Sequence, residues 1–273
     1  MKAYLDGLRK ILEEGVDRPD RTGVGTRALF GLQMRYNLAD GFPVVTTKKL
    51  AFKSMTAELL WFIRGSRDVR ELQQLGSHIW DANAHADYWT PRAQFEGDVG
   101  RIYGVQWRSW RTPDGREIDQ LKQVIEGIRT KPYSRRHVVT AWNPGELEEM
   151  ALPPCHILYQ FFVANGTLSL HMFQRSCDMF LGVPFNIASY SLLLHMVAQV
   201  TGLKPGEFVH TLSDAHIYQN HFEQVKAQLA RKPKSLPTLR LNPEIKDIDA
   251  FTMDDIRLEN YHPHPAIRAP MAV

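Results

Sequence analysis

Pro153-Pro154-Cys155-His156, followed by the apolar run Ile157-Leu158-Tyr159-Gln160-Phe161-Phe162-Val163, is the stretch from which the fold can be read. The two prolines fix φ and lack an N–H, so they stand outside a regular ladder and leave Cys155 at the mouth of a strand. Asn165-Gly166 is a strong signal for a tight type I′ hairpin turn, because both residues tolerate positive φ. The chain then returns as Thr167-Leu168-Ser169-Leu170-His171-Met172-Phe173-Gln174. A hairpin in this register carries Gln174-Arg175-Ser176 back beside Cys155. A strand-end thiol next to an arginine sits in an electropositive setting that favours the thiolate. A lone cysteine is more often one more buried apolar residue. With a histidine beside it and an Arg-Ser pair opposite, the reactive reading is the stronger one.

The next segment, Arg175 to Tyr190, carries few charges, a Gly182-Val183-Pro184 turn and then a helical period opening at Asn186. Arg175 and Ser176 together suit a phosphate, offering a planar fork and a hydroxyl. Asn186 has a donor and an acceptor side by side, so it can read an edge that presents the complementary pair. A thiol, a phosphate clamp and an amide reader together describe an enzyme that acts on a nucleotide base.

Working outward, Tyr4, Leu5, Leu8, Ile11 and Leu12 fall at helical spacing, and the helix ends near Gly15. Leu32, Met34 and Tyr36 alternate with Gln33 and Arg35, which predicts a half-buried strand. Phe52 to Ile63 is helical and strongly apolar, with Glu58 among Leu59, Leu60, Trp61 and Phe62. Burying that carboxylate raises its pKa and suits it to proton transfer near neutrality; the plainer alternative is a side chain pointing to water. Ile118, Leu121, Val124, Ile125 and Ile128 predict another helix, Val138 to Trp142 a strand, and Ile187 to about Val200 a long apolar helix. His216 and Tyr218 sit beside Asp214 near the start of a further helix, where two ring donors could hold a sugar hydroxyl or simply pack in the core. Lys48 either faces solvent or helps hold an anionic cofactor. Tyr103 to Arg108 reads as an element entering the core.

Composition sets the bounds. A chain of 273 residues, 44% hydrophobic and 23% charged, is an ordinary globular composition that supports one domain spanning 1–273. A net charge of +3 fits a small anionic substrate better than a nucleic-acid groove. Cys155 and Cys177 are the only cysteines, too few for a disulfide framework, and a free thiol implies a reducing, cytoplasmic setting. No signal peptide is evident, no run is expected to span a membrane, and His and Cys show no metal-ligand spacing.

Read together, Asp20-Arg21-Thr22-Gly23, Glu58 to Phe62, Ser134-Arg135-Arg136-His137, Pro153 to His156, Gln174 to Tyr190, Asp214 to Tyr218 and Pro263-His264-Pro265 make the chain resemble the thymidylate synthase family nearly end to end. The resemblance implies an α+β fold with one mixed sheet, helices mainly on one face and the other face used for homodimerisation. It implies reductive methylation of dUMP to dTMP with 5,10-methylenetetrahydrofolate, with no metal. It assigns catalysis to Cys155, Glu58, His156 and Asn186. Substrate binding falls to Arg21, Gln174, Arg175, Ser176, Cys177, Asp178, Asn186, His216 and Tyr218, with Arg135 and Arg136 supplied by the partner subunit. Folate contacts fall to Trp80, Asp178, Leu181, Gly182, Phe185 and Ala272. The chain departs from the family's usual pattern at Ala51, Asn83, Arg101 and Ser213 and in the segment 82–97, which bears on folate contacts rather than on the reaction. Two other functions fit parts of the sequence. One is a pyrimidine-nucleotide hydroxymethylase on the same scaffold. The other is a nucleic-acid-binding regulator, against which the absence of an RNA-binding motif argues.

Overall fold

The computed structural model describes residues 1–270. Helix α1 (Lys2–Glu14) leads into strands β1 (Val16–Arg18) and β2 (Thr26–Asn37), then helices α2 (Phe52–Ile63), α3 (Val69–Gln74), α4 (Asp81–Ala84) and α5 (Tyr103–Arg108). A small hairpin, β3 (Trp110–Arg111) and β4 (Glu117–Ile118), precedes α6 (Gln120–Thr130) and β5 (Val138–Thr140). The central hairpin is β6 (His156–Ala164) and β7 (Thr167–Asp178), followed by α7 (Gly182–Thr201), β8 (Lys204–Tyr218), α8 (Phe222–Leu229) and a last pair, β9 (Thr238–Leu241) and β10 (Ile256–Glu259).

Six strands form the main sheet in the order β1-β2-β8-β7-β6-β5. Strands β7 and β8 run parallel, and every other neighbouring pair is antiparallel. The fold is therefore α+β around one mixed sheet. Its central turn forms as the sequence requires, with Asn165 at φ 51° and Gly166 at φ 70°, both in the left-handed region that a type I′ turn needs. The register sets His156 opposite Gln174 and bonds the Arg175 N–H to the Cys155 carbonyl at 2.8 Å.

A parallel pair needs a crossover, and α7 supplies it. It packs on β7 and β8 beneath and meets α2 and α6 on its other sides, so it is apolar all round rather than on one stripe. This corrects the expectation that no run is long enough to span a membrane. By length and composition the 20 residues of α7 qualify, but 78% of its 18-residue apolar window is buried inside the fold. The helix also starts four residues earlier than expected, at Gly182. Pro184 lies in its first turn, where a missing N–H costs nothing, and Asp178 Oδ1 caps the approach by accepting from the N–H groups of Phe180 and Leu181.

Two other boundaries differ from the sequence reading. Ile118 belongs to β4, because Asp119 caps α6 by accepting from Lys122 N at 2.9 Å. His216 and Tyr218 end a strand rather than open a helix. Pairing of β8 with β2 on one side, and of His216 with Asp178 of β7 on the other, holds that segment extended. The sheet face away from α7 leaves Phe30 and Phe162 at 87% and 67% exposure, with Leu158 and Val138 beside them in the same sheet also exposed.

Candidate active site

Cys155 stands just before β6, partly exposed. Its N–H donates to the Tyr103 hydroxyl at 2.7 Å, which ties the loop to α5. Arg175 is held against it by the two prolines: Nε donates to the Pro154 carbonyl at 2.8 Å and Nη2 to the Pro153 carbonyl at 3.0 Å. The guanidinium also lies over Trp142, 5.2 Å from the ring centroid. Burial raises the Cys155 thiol above its ordinary pKa, opposed by Arg175 and by hydrogen bonds from Tyr103 and Ser176. The electropositive setting anticipated from the sequence is present, but burial outweighs it, so the resting group is a thiol. Cys177 differs in kind. It has no exposure, its Sγ points at the Gln174 carbonyl, and burial pushes its pKa far up.

Glu58 emerges from α2 into an aromatic wall. Trp80 Nε1 donates to its Oε1 at 2.7 Å, and Trp61, Phe62 and Tyr103 pack about the Trp80 ring. Burial raises the carboxyl from the ordinary 4.5 to about 7, with the Trp80 bond opposing the shift. Trp80 itself is only 5% exposed, so its indole braces Glu58 with little of its face in the open. His156 stacks on Tyr103 with centroids 4.0 Å apart, and its Nδ1 lies 2.7 Å from the Tyr190 hydroxyl. Burial lowers its pKa to about 3, so it is neutral at physiological pH. Tyr103 and Tyr190 were not singled out in the sequence. The available signal was a tyrosine inside an otherwise apolar helical stretch, whose hydroxyl must find a partner when buried.

Along α7, Val183, Pro184 and Ile187 are buried whereas Leu181, Gly182, Phe185 and Asn186 keep some exposure. One edge of the first turn thus faces outward with an apolar surface and a single amide. Gln174 Nε2 donates to Asn186 Oδ1 at 3.0 Å and to the Ser176 carbonyl at 2.9 Å. Where β7 and β8 end, Asp178, His216 and Tyr218 converge. His216 Nδ1 lies 3.1 Å from Asp214 Oδ1, and its ring meets Tyr218 edge-on at 5.3 Å. Burial raises the Tyr218 hydroxyl above its ordinary pKa, with the nearby charges of Asp178 and Asp20 adding to the shift and Arg21 opposing it. Arg21 is exposed on a loop shaped by Asp20, which accepts from Gly25 N at 2.7 Å and from the Thr22 hydroxyl at 2.6 Å.

Arg135 and Arg136 do not join this group. Strand β5 pairs Val138 with Gln160 and runs antiparallel to β6, so Arg135 reaches the Asn165 turn, and Gln160 Nε2 bonds its carbonyl. Cys155 lies at the other end of β6, roughly 26 Å away at about 3.3 Å per residue. Both arginines are exposed. Lys48, left open by the sequence, is buried: its Nζ donates to the Phe180 carbonyl and sits 3.6 Å from the Phe180 ring centroid. Burial lowers its pKa to about 8. Arg101 is a buried ion-pair residue, with Nε donating to Glu146 Oε2 at 2.7 Å. The described residues of the C-terminal segment, up to Pro270, are tied to the body of the fold. Tyr261 donates to the Val45 carbonyl, Arg231 to the Pro265 carbonyl, and His221 Nε2 lies 2.7 Å from the Pro270 carbonyl. Ala272 lies outside the described residues. Among the described residues no group of three or more His, Cys, Asp or Glu is placed to hold a metal ion.

A thiol, a carboxyl poised near neutrality and a neutral imidazole braced by two tyrosines can together add to, and exchange protons with, an unsaturated ring. The family model that this chain matches is that of thymidylate synthase, over residues 2–273. With the match covering essentially the whole length, the chain belongs to the thymidylate synthase family, methyltransferases that convert dUMP to dTMP with 5,10-methylenetetrahydrofolate as co-substrate.

Proposed function

We propose that this chain carries out that reductive methylation through a covalent adduct between Cys155 and C6 of the pyrimidine. What supports the reading is Arg175 bonded against the loop that presents Cys155, Tyr103 joining the Cys155 N–H to the aromatic wall that holds Glu58, and Cys177 buried out of reach. Pyrimidine C5 is a poor nucleophile; addition of the thiolate at C6 makes C5 enolate-like. Arg175 and Ser176 hold the phosphate with Arg21, and binding it beside the thiol aligns C6 for attack. Asn186 and the ordered polar groups about it stabilise charge that develops on the ring. Glu58, with His156 nearby, moves protons through water. The half-exposed apolar edge formed by Leu181, Gly182 and Phe185 suits a flat folate ring system, with Asp178 beside it and Trp80 behind Glu58. The folate supplies the one-carbon unit and the hydride. The purified protein with dUMP and methylenetetrahydrofolate should form dTMP and dihydrofolate. Hydroxymethylated nucleotide with tetrahydrofolate would point instead to the hydroxymethylase on the same scaffold.

Base choice rests on Asn186. Uracil offers an N–H and a carbonyl side by side, which one amide can satisfy; cytosine presents an acceptor and an amino donor there, reversing both positions. A buried mismatch costs about 1–3 kcal/mol, roughly five- to 150-fold. Relative kcat/KM for dUMP and dCMP should therefore favour dUMP clearly. Asn186→Asp, able to accept from an amino group, should narrow or invert the ratio. Equal turnover of both nucleotides by the unmodified protein contradicts the assignment.

The arginine pair acts in trans. Its distance from Cys155 along β6 and the exposed apolar sheet face that carries Phe30 and Phe162 both support a homodimer in which each phosphate site borrows Arg135 and Arg136 from the partner. Cys155→Ser and the double change Arg135→Glu with Arg136→Glu should each be inactive yet dimeric. When their subunits exchange at random, about half the dimers are mixed and each has one intact site of two. About a quarter of full activity should return in a dihydrofolate assay. Demonstrated mixed dimers without recovery would place the arginines in cis or away from the phosphate.

A further inference from the structure

His210 lies in the middle of β8, with no exposure, and its cross-strand neighbours are Met34 of β2 and Met172 of β7. Its ring packs against Phe208 at 5.4 Å. The site described above makes no use of it. Its Nε2 is 2.8 Å from Gln174 Oε1, and its Nδ1 has no partner among the described residues. A carboxamide oxygen only accepts, so Nε2 must carry the proton and Nδ1 must be bare. Burial also keeps the ring neutral, with a pKa near 3. A neutral imidazole with one donor and one unused lone pair is a one-way device.

The direction it imposes travels. Gln174, itself 2% exposed, has its oxygen held by His210, so its nitrogen is turned toward Asn186 Oδ1 and the Ser176 carbonyl, at 3.0 and 2.9 Å. Asn186 then has its oxygen on the Gln174 side and its NH2 group on the other. The polarity of the Asn186 amide is thus set from behind, by the Ser176 carbonyl on the Gln174 nitrogen and by the His210 ring on the Gln174 oxygen. We propose that His210 is a positioning residue: acting through Gln174, it fixes which end of the Asn186 amide donates, and thereby the preference for uracil over cytosine.

The inference rests on the reading of Asn186 as the group that meets the base. A cytosine edge calls for the opposite amide polarity. With His210 in place, reversing Asn186 breaks the Gln174 bond, and reversing Gln174 as well sets its NH2 against the Nε2 proton. Without the His210 donor, only the Ser176 carbonyl still holds Gln174 in this sense, so turning both amides over meets one opposed contact instead of two. The dUMP reaction loses some of its advantage, and the cytosine edge stops meeting a locked amide.

The test compares kcat/KM for dUMP and dCMP in His210→Phe, which keeps an aromatic ring but removes the donor, and in His210→Gln, which returns an N–H near the position of Nε2. The Phe variant should lower the dUMP-to-dCMP ratio about fivefold, the worth of one neutral hydrogen bond, and the Gln variant should restore most of it. In an Asn186→Asp background, His210→Phe should leave the ratio unchanged, since the chain of bonds then has no amide to orient. A structural role alone would lower both substrates alike and leave the ratio where it was, which overturns the proposal. If Asn186→Asp itself leaves the ratio unmoved, the base reading falls and this inference falls with it. If Asn186→Asp shifts the ratio and His210→Phe does not, only the His210 assignment is lost. Should the Phe variant fold poorly, 15N NMR of the unmodified protein decides the matter: His210 should be neutral with a bare Nδ1 and a protonated Nε2 between pH 5 and 8, and the opposite tautomer overturns the proposal.

Discussion

Cys155→Ser removes turnover to the floor of a dihydrofolate assay. A serine hydroxyl at the same place is a far weaker nucleophile at neutral pH, and nothing in the site is arranged to ionise it: His156 is committed to Tyr190 and Tyr103 rather than to residue 155. Binding should survive. The phosphate is held by charged groups whose bonds do not involve the thiol, so the affinity for dUMP should stay within about tenfold by equilibrium titration. Cys177→Ser supplies the internal control. The serine hydroxyl can still donate to the Gln174 carbonyl that Cys177 Sγ faces, and no reacting atom reaches that position, so most activity should remain. A dead Cys177→Ser beside an active Cys155→Ser would reverse the assignment of the nucleophile.

Glu58→Gln is expected to cost roughly 10²- to 10⁴-fold in kcat, the range associated with losing a general acid or base. It should also abolish the limb of the pH–rate profile near 7, where the Glu58 carboxyl titrates. The same shift has a consequence for stability. Between the ordinary 4.5 and about 7 the folded protein keeps a proton that the unfolded chain has released. Stability therefore falls as pH rises through that window, by about 3 kcal/mol in all at about 1.4 kcal/mol per unit. The buried histidines act with the opposite sign. His156, His210 and His195 have depressed values, so their neutral forms lose stability as pH falls below the ordinary histidine range. Subtracting the urea-unfolding profile of Glu58→Gln from that of the unmodified protein isolates Glu58. The variant should be relatively more stable above pH 7, with the advantage fading toward pH 4. A flat difference, or an undiminished kcat, would mean that the carboxyl neither titrates near 7 nor moves a proton in the rate-limiting step.

A sheet face that stays open in one subunit and an arginine pair far from the thiol raise the question of what completes the site. The subunit-exchange experiment addresses it directly, because activity then depends on two lesions lying on different chains. The proposed folate contacts are less demanding of a partner: Leu181, Gly182, Phe185 and Asp178 all come from one continuous segment that leaves β7 and enters α7.

Local sequence determined a great deal here. The Asn165-Gly166 turn and the period-2 runs on either side of it set the β6–β7 hairpin, because a one-residue slip would invert every buried side chain. That register brought residues 174–176 back to Cys155, and a one-residue shift between His156 and Leu158 set Arg175 against it. The apolar period of Phe52 to Ile63 located α2 while leaving Glu58 open between core and water, and the order of the motifs was enough to recognise the family. What the sequence could not supply were facts that depend on contacts between distant elements. The protonation preference of Cys155 is one: its arginine neighbour was legible, but the burial that outweighs it comes from α5 and the loops packed around it. The extended form of His216 and Tyr218 is another, since pairing with β2 and β7 overrides the local pattern. Lys48 turned inward because the Phe180 carbonyl and ring await it. The roles of Tyr103, Tyr190 and His210 arise from partners 34 to 52 residues away. No local period encodes such pairings; they exist only because packing brings distant polar groups within bonding reach.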